Sequence, residues 1–286
     1  MQTPRRLLNR LVHAVWRWAD SVGTIIPGTV PADRFAHFGA GSAIGFPVAT
    51  VFGERHIRIG ENTMIGRHCT LSVGYSQDDP HERTDGLVIG DRCVIGARSS
   101  FTAHDSIVIG DDVWFGQDVL VSDSGHGYQD PDLPIGVQLA PHQPVRIGDG
   151  SWIGHGVVIL PGTTIGRHVV VAAGSVVRGE VEDHAVVGGV PAKILRRYEG
   201  GTGWIATADP EDVRPAHRQT WDIPVTPGSK NRATAESLRI SPENTAESLR
   251  VSPEDTAESL RVSPEDTAES LRVSPEDTAD PSGVGA

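Results

Sequence analysis

The chain has 286 residues, 38% of them hydrophobic and 5% aromatic, and a formal net charge of −12. That length can bury one large core or two modest ones. The acidic balance, with no basic stripe, excludes a general electrostatic grip on nucleic acid, which needs clustered cations. Two cysteines, Cys69 and Cys93, are too few for a disulfide framework and fit a reducing compartment, which points to the cytoplasm.

Residues 1–44 read as an N-terminal amphipathic helix and its lead-in. Leu7, Leu8, Leu11, Val12, Val15 and Ala19 recur at helical period, with Arg5, Arg6, Arg10 and Arg17 largely elsewhere on the wheel. The arginines leave no uninterrupted apolar run for a signal peptide or a membrane span. Tertiary packing explains most such helices, so packing on an end or flank of the main domain is expected ahead of attachment to anionic lipid through Trp16 and Trp18.

From about Ile57 to Val177 the sequence beats in sixes, and a repeat decides architecture before local propensity does. Ile59-Gly60 and Ile65-Gly66 lead to Leu71. Ile89-Gly90 and Ile95-Gly96 lead to Phe101. Ile109-Gly110 and Phe115-Gly116 lead to Val121, after an apparent slip of two residues at Ile107. Ile147-Gly148, Ile153-Gly154, Ile159 and Ile165-Gly166 then run on to Val171 and Val177. Four places after each aliphatic stands a small or β-branched residue, among them Thr63, Cys69, Cys93, Ser99, Ser151, Thr163 and Ser175. Neither helix nor hairpin has period six. A coil of three short strands does, with the aliphatic inward, its glycine or another neighbour at the turn and the small residue in the corner. Stacked coils then make parallel ladders throughout around a narrow aliphatic column, and both cysteines read as core packing.

Between Val121 and Ile147 the beat stops. The density of Pro and Gly over 122–146 predicts a loop projecting from the scaffold, where function concentrates. It carries His126 between Gly125 and Gly127, beside Tyr128 and Asp130. A neutral imidazole can take a proton from an alcohol, and flanking glycines allow close approach.

These residues resemble the sugar O-acetyltransferase branch of the hexapeptide-repeat acyltransferases, which includes galactoside, maltose, nodulation-factor and polysaccharide acetyltransferases. The likeness runs from about Gly45 to Arg197. It is most specific at Ser124-Gly125-His126, Val145-Arg146-Ile147-Gly148-Asp149, Trp152-Ile153-Gly154, Ile159 to Gly166, Ala172 to Val177 and Gly188-Gly189-Val190-Pro191-Ala192-Lys193. The resemblance implies an all-β fold over 45–198, a left-handed parallel β-helix shaped as a triangular prism; the left hand comes from the resemblance, since physics alone favours right-handed crossovers. It implies His126 as general base for direct attack of an acceptor hydroxyl on acetyl-CoA, with no metal. Trp152, Gly154 and Ala173 would meet the acyl and pantetheine parts, and Lys193 and Arg196 the nucleotide phosphates. Arg178 stands in an Arg-Gly-Glu where relatives carry Thr-Lys-Asp, and is the candidate to replace that lysine in binding coenzyme A. His104 and Asp105 fall where galactoside acetyltransferase holds its acceptor, and Tyr128 is a further acceptor candidate. A homotrimer with sites shared between subunits is also implied, acting on a sugar or glycan.

Three other readings compete. An N-acetyltransferase would act on an aminosugar, sugar nucleotide or amino acid. A carbonic-anhydrase-like zinc protein would use His81, His104 and His126. A non-catalytic scaffold would bind no acetyl-CoA.

Residues 199–230 form a C-terminal extension with Trp204 and Trp221 as candidate anchors. Residues 231–286 repeat TAESLRVSPED at a step of eleven, with Pro242, Pro253, Pro264 and Pro275 interrupting any helix, and read as a disordered acidic tail.

Overall fold

The computed structural model describes residues 4–76, 79 and 86–216. The eleven-residue repeats, Trp221 and His81 lie outside the described residues.

The hexad beat becomes a left-handed parallel β-helix with three faces. The first face stacks seven strands, from His37–Phe38 through Ile57–Ile59, Leu87–Ile89, Ile107–Ile109, Val145–Ile147 and Thr164–Ile165 to Glu180–Val181. The second stacks Ala43–Ile44, Met64–Ile65, Val94–Ile95, Trp114–Phe115, Trp152–Ile153, Val170–Val171 and Ala185–Gly189. The third holds six strands, from Thr50–Phe52 through Thr70–Val73, Ser100–Ala103, Leu120–Ser122 and Val158–Ile159 to Val176–Val177. The inward residues form one column: Ile59, Ile89, Ile109, Ile147 and Ile165 stand over one another in register, all 0–2% exposed. The beat's small residues fill the corners, and their hydroxyls tie coil to coil. Thr63 Oγ1 donates to the Gly90 carbonyl at 2.7 Å and accepts the Cys93 N–H at 3.0 Å. Cys69 and Cys93 are buried free thiols, and burial pushes the Cys93 thiol up to about 11, which suits packing.

Several expectations need correction. Of the two candidates for the turn, the glycine after the aliphatic and another neighbour, the neighbour takes the left-handed step. A Cβ on Gly96 would sit 2.3 Å from the Gly116 carbonyl oxygen of the next coil, so close stacking demands glycine there. The left-handed residue comes two places later and is usually not glycine: Asn62, His68, Arg92, Arg98, Asp112, Asp118, His168 and His184 all have positive φ. The slip near Ile107 is one strand with Ile107 and Ile109 both inward, because its coil has an enlarged corner. The first coil starts at His37, ahead of the expected boundary at 45, where the beat is too degraded to read.

The ladders are not all parallel. After Ala185–Gly189 the chain doubles back through Ala192–Glu199, Gly203–Ala206 and Val213–Arg214, adding three antiparallel strands to the second face. The extension expected from 199 is therefore in part sheet. Trp204 anchors it: its ring lies 5.5 Å from Tyr198, and with His168 and His184 the two line a shallow hollow of about 330 Å³.

The N-terminal helix, α1 (Pro4–Gly23), forms as predicted but does not pack as predicted. None of its residues is buried. It is fastened at its end, where Ile25 bridges Ile44 of the first coil.

Candidate functional site

The prism has three edges, and the chain treats them differently. Where the third face turns into the first, the connection after Val73, described at residues 74–76, 79 and 86, spans more sequence than a regular corner, and residues 123–144 form an excursion. Asp123 organises that edge. Its carboxylate is fully buried and accepts the backbone N–H groups of His104, Asp105 and Ser106, each at 2.8 Å. Three such bonds to a charged acceptor fix the neighbouring corner and satisfy the carboxylate.

On this base sits a cluster of rings. His104 Nδ1 shares a 2.8 Å hydrogen bond with Ser124 Oγ. The His142 ring stacks on His104 at 5.2 Å, and Tyr75 meets His104 edge-on at 4.7 Å. The Tyr75 hydroxyl lies 2.5 Å from His142 Nε2. His142 Nδ1 is buried with no hydrogen-bond partner among the described residues.

The loop that carries His126 is built, not slack. Its base closes where Gln143 N–H donates to the Asp123 carbonyl at 2.8 Å. His126 bridges Leu139 through the backbone, and Gly127 N–H donates to the Gln138 carbonyl at 3.0 Å. The Gln138 amide reaches the carbonyls of Asp130 and Leu133 at 2.8 and 2.9 Å, holding the tip together. His126 itself is exposed, and so is Tyr128. His104, Asp105, His126, Tyr128 and Arg178 thus share one edge.

The other predicted residues lie elsewhere. Gly154 and Ala173 occupy stacked corners where the second face turns into the third; a Cβ on Gly154 would meet the Ala173 amide nitrogen at 2.6 Å. Trp152 stands outward on the second face, 57% exposed, in register with Trp114 at 55%. Lys193 is exposed on the returning strand. These fit a long flexible donor ending in phosphates: a small-residue groove, an apolar ring and a cation. Arg196 does not join them. Its guanidinium pairs with Asp212 and donates to the Asp212 carbonyl at 3.1 Å, pinning the terminal strands. Within one chain the full width of the third face therefore separates His126 from Gly154 and Ala173.

Sequence reasoning missed Asp123, Tyr75, His142 and Trp114. Trp114 occupied the same beat position as Trp152 and could have been found. Tyr75 and His142, 67 residues apart, gave no signal. Among the described residues no three His, Cys, Asp or Glu side chains are grouped to hold a metal ion, and no helix is long and apolar enough to cross a membrane.

Comparison with known proteins bears on this arrangement. Residues 144–179 match the family model described as bacterial transferase hexapeptide (six repeats), and 86–118 match the hexapeptide repeat of succinyl-transferase. Over those two stretches the chain carries the hexapeptide repeats that these transferase models describe. WbbJ of Escherichia coli, which carries the name of a lipopolysaccharide biosynthesis O-acetyl transferase, is 40% identical over 91 residues, 29% of this chain and 46% of that protein. Rv3034c of Mycobacterium tuberculosis, named as an acetyltransferase, is 41% identical over 88 residues, 31% of this chain and 29% of its own. This hexapeptide-repeat chain thus spans less than half the length of these curated relatives. A variant of AntD, an N-acyltransferase from Bacillus cereus solved with dTDP and coenzyme A, shares the fold at a TM-score of 0.51 and 20% identity, covering 62% of this chain and 92% of that one.

Proposed function

We propose that this protein is an acetyl-CoA-dependent O-acetyltransferase acting on a hydroxyl of a sugar or glycan. The observation that carries the reading is the ordered 123–144 excursion, which presents His126 on the edge that also bears the His104 cluster. The names of WbbJ and Rv3034c support the acetyl-transfer class.

The His126 imidazole takes the acceptor's hydroxyl proton as the oxygen bonds to the thioester carbonyl carbon. The carbon–sulfur bond then breaks, and the leaving thiolate takes that proton from the imidazolium. No acyl-enzyme is required. Ring faces at Tyr75, His104 and His142 suit the apolar face of a sugar, and their polar atoms suit its hydroxyls. Gly154, Ala173, Trp152 and Lys193 serve the donor. Since the third face separates them from His126, the donor groove used by His126 belongs to a neighbouring copy, which fits a homotrimer. Two buried thiols agree with a reducing compartment, and we place the protein in the cytoplasm.

The test is thiol release from acetyl-CoA against glycosides and aminosugars, with His126→Ala alongside. A fall of about 10²-fold or more in kcat, on hydroxyl acceptors, is expected. Turnover confined to aminosugars would replace O- with N-transfer, and an undiminished variant would remove His126 from the mechanism. Activity should also vanish on dilution to monomers; a fully active monomer would refute the shared site.

A further inference from the structure

We infer that α1 is a docking element for an anionic lipid bilayer, lying in the interface with its apolar face toward the acyl chains. At about 100° per residue, Leu7, Leu8, Leu11, Val15, Trp18 and Val22 fall within one arc of about 100°, and all are 54–66% exposed. A soluble domain normally buries such a stripe, because that burial is what holds an amphipathic helix in place. Here no residue of the helix is buried.

Charge selects the occupant. Arg6, Arg10 and Arg17 gather on a second arc, about 130° around the wheel from the apolar one, and Arg5 adds a fourth cation against the single carboxylate of Asp20. The chain as a whole carries −12, so this helix is a cationic, apolar element on an acidic protein. A helix with one broad apolar face, arginines beside it and tryptophan at the boundary binds at a headgroup layer. It lies on the bilayer, since its four arginines and Asp20 leave it too polar to cross one. The tether agrees: Gly23 abuts the Phe46 ring and Ile25 bridges Ile44, so only the helix end is committed to the prism. The inference stands apart from the assignment of the reaction.

Flotation of the full chain with phosphatidylglycerol-containing and with pure phosphatidylcholine vesicles tests it. Wild type should float with the anionic vesicles, less so as salt rises. Replacing Arg6, Arg10 and Arg17 with Gln should weaken binding about 10²-fold, and Leu11→Glu should abolish it. Neither change should alter thiol release with a soluble acceptor, which also reports that the variants fold. A blue shift of tryptophan emission in the unmutated chain gives a second readout. Absence of flotation and of any shift would overturn the proposal. So would equal binding to both vesicle types, or loss of oligomers in Leu11→Glu without any vesicle binding, which would make a second copy of the chain the occupant.

Discussion

The edge between the first and second faces and the edge between the third and first are built from the same turn, yet they do opposite things with carboxylates and loops. Along the former, Glu61, Asp91 and Asp111 N–H groups each donate to an aspartate of the next coil, at 2.7, 2.9 and 2.9 Å to Asp91, Asp111 and Asp149. Arg92 clamps Asp112 with two 2.8 Å bonds. These corners are short and repeated, and their aspartates are taken up by backbone and arginine partners. Along the latter the corners lengthen, Asp123 takes over the same backbone-satisfying role from inside, and the space gained holds Tyr75, His104, His142 and the His126 loop. A regular repeat stabilises by using each polar group up; a site needs a place where the repeat fails but its backbone remains satisfied.

That contrast can be broken in graded steps. The largest effect is expected in the shared core. Phe101 is wholly buried, its ring edge-on to Phe115 at 5.3 Å, so Phe101→Ala should cost about 3–5 kcal/mol, read by denaturant unfolding. Next comes the organising carboxylate. Asp123→Asn leaves its three amide donors with a weaker neutral acceptor and should cost about 1–3 kcal/mol, while lowering kcat through misplacement of the His126 loop. A variant that loses stability without losing kcat would make Asp123 structural alone. The smallest effect belongs to the saturated edge: Arg167, whose backbone N–H and guanidinium both bond Asp183 at the surface, holds that carboxyl below the usual carboxylate range, yet Arg167→Gln should leave both melting temperature at high salt and thiol release unchanged. A large loss there would show that the regular edges carry function after all.

Legibility followed the same division. Hexad spacing displayed the inward column and the corner residues down to individual positions, because each inward side chain must meet the equivalent one a coil away. His126 was legible because it stands where the beat stops. Asp123, one residue beyond the last outward position of its strand, looked like ordinary loop polarity; its partners are backbone amides, which no sequence displays. Arg196 misled for the converse reason: a cation after the terminal turn suits phosphates, but Asp212 claims it.

The sequence by itself determined the coil, its register, the buried thiols and the one loop worth suspecting, since all of these follow from local period and composition. Only the tertiary structure decided that His126 and the Gly154 and Ala173 corners stand on different edges, that Tyr75, His104 and His142 converge, and that α1 leaves its apolar face uncovered. Those are facts of distance between segments far apart in the chain, fixed by stacking rather than by any local preference.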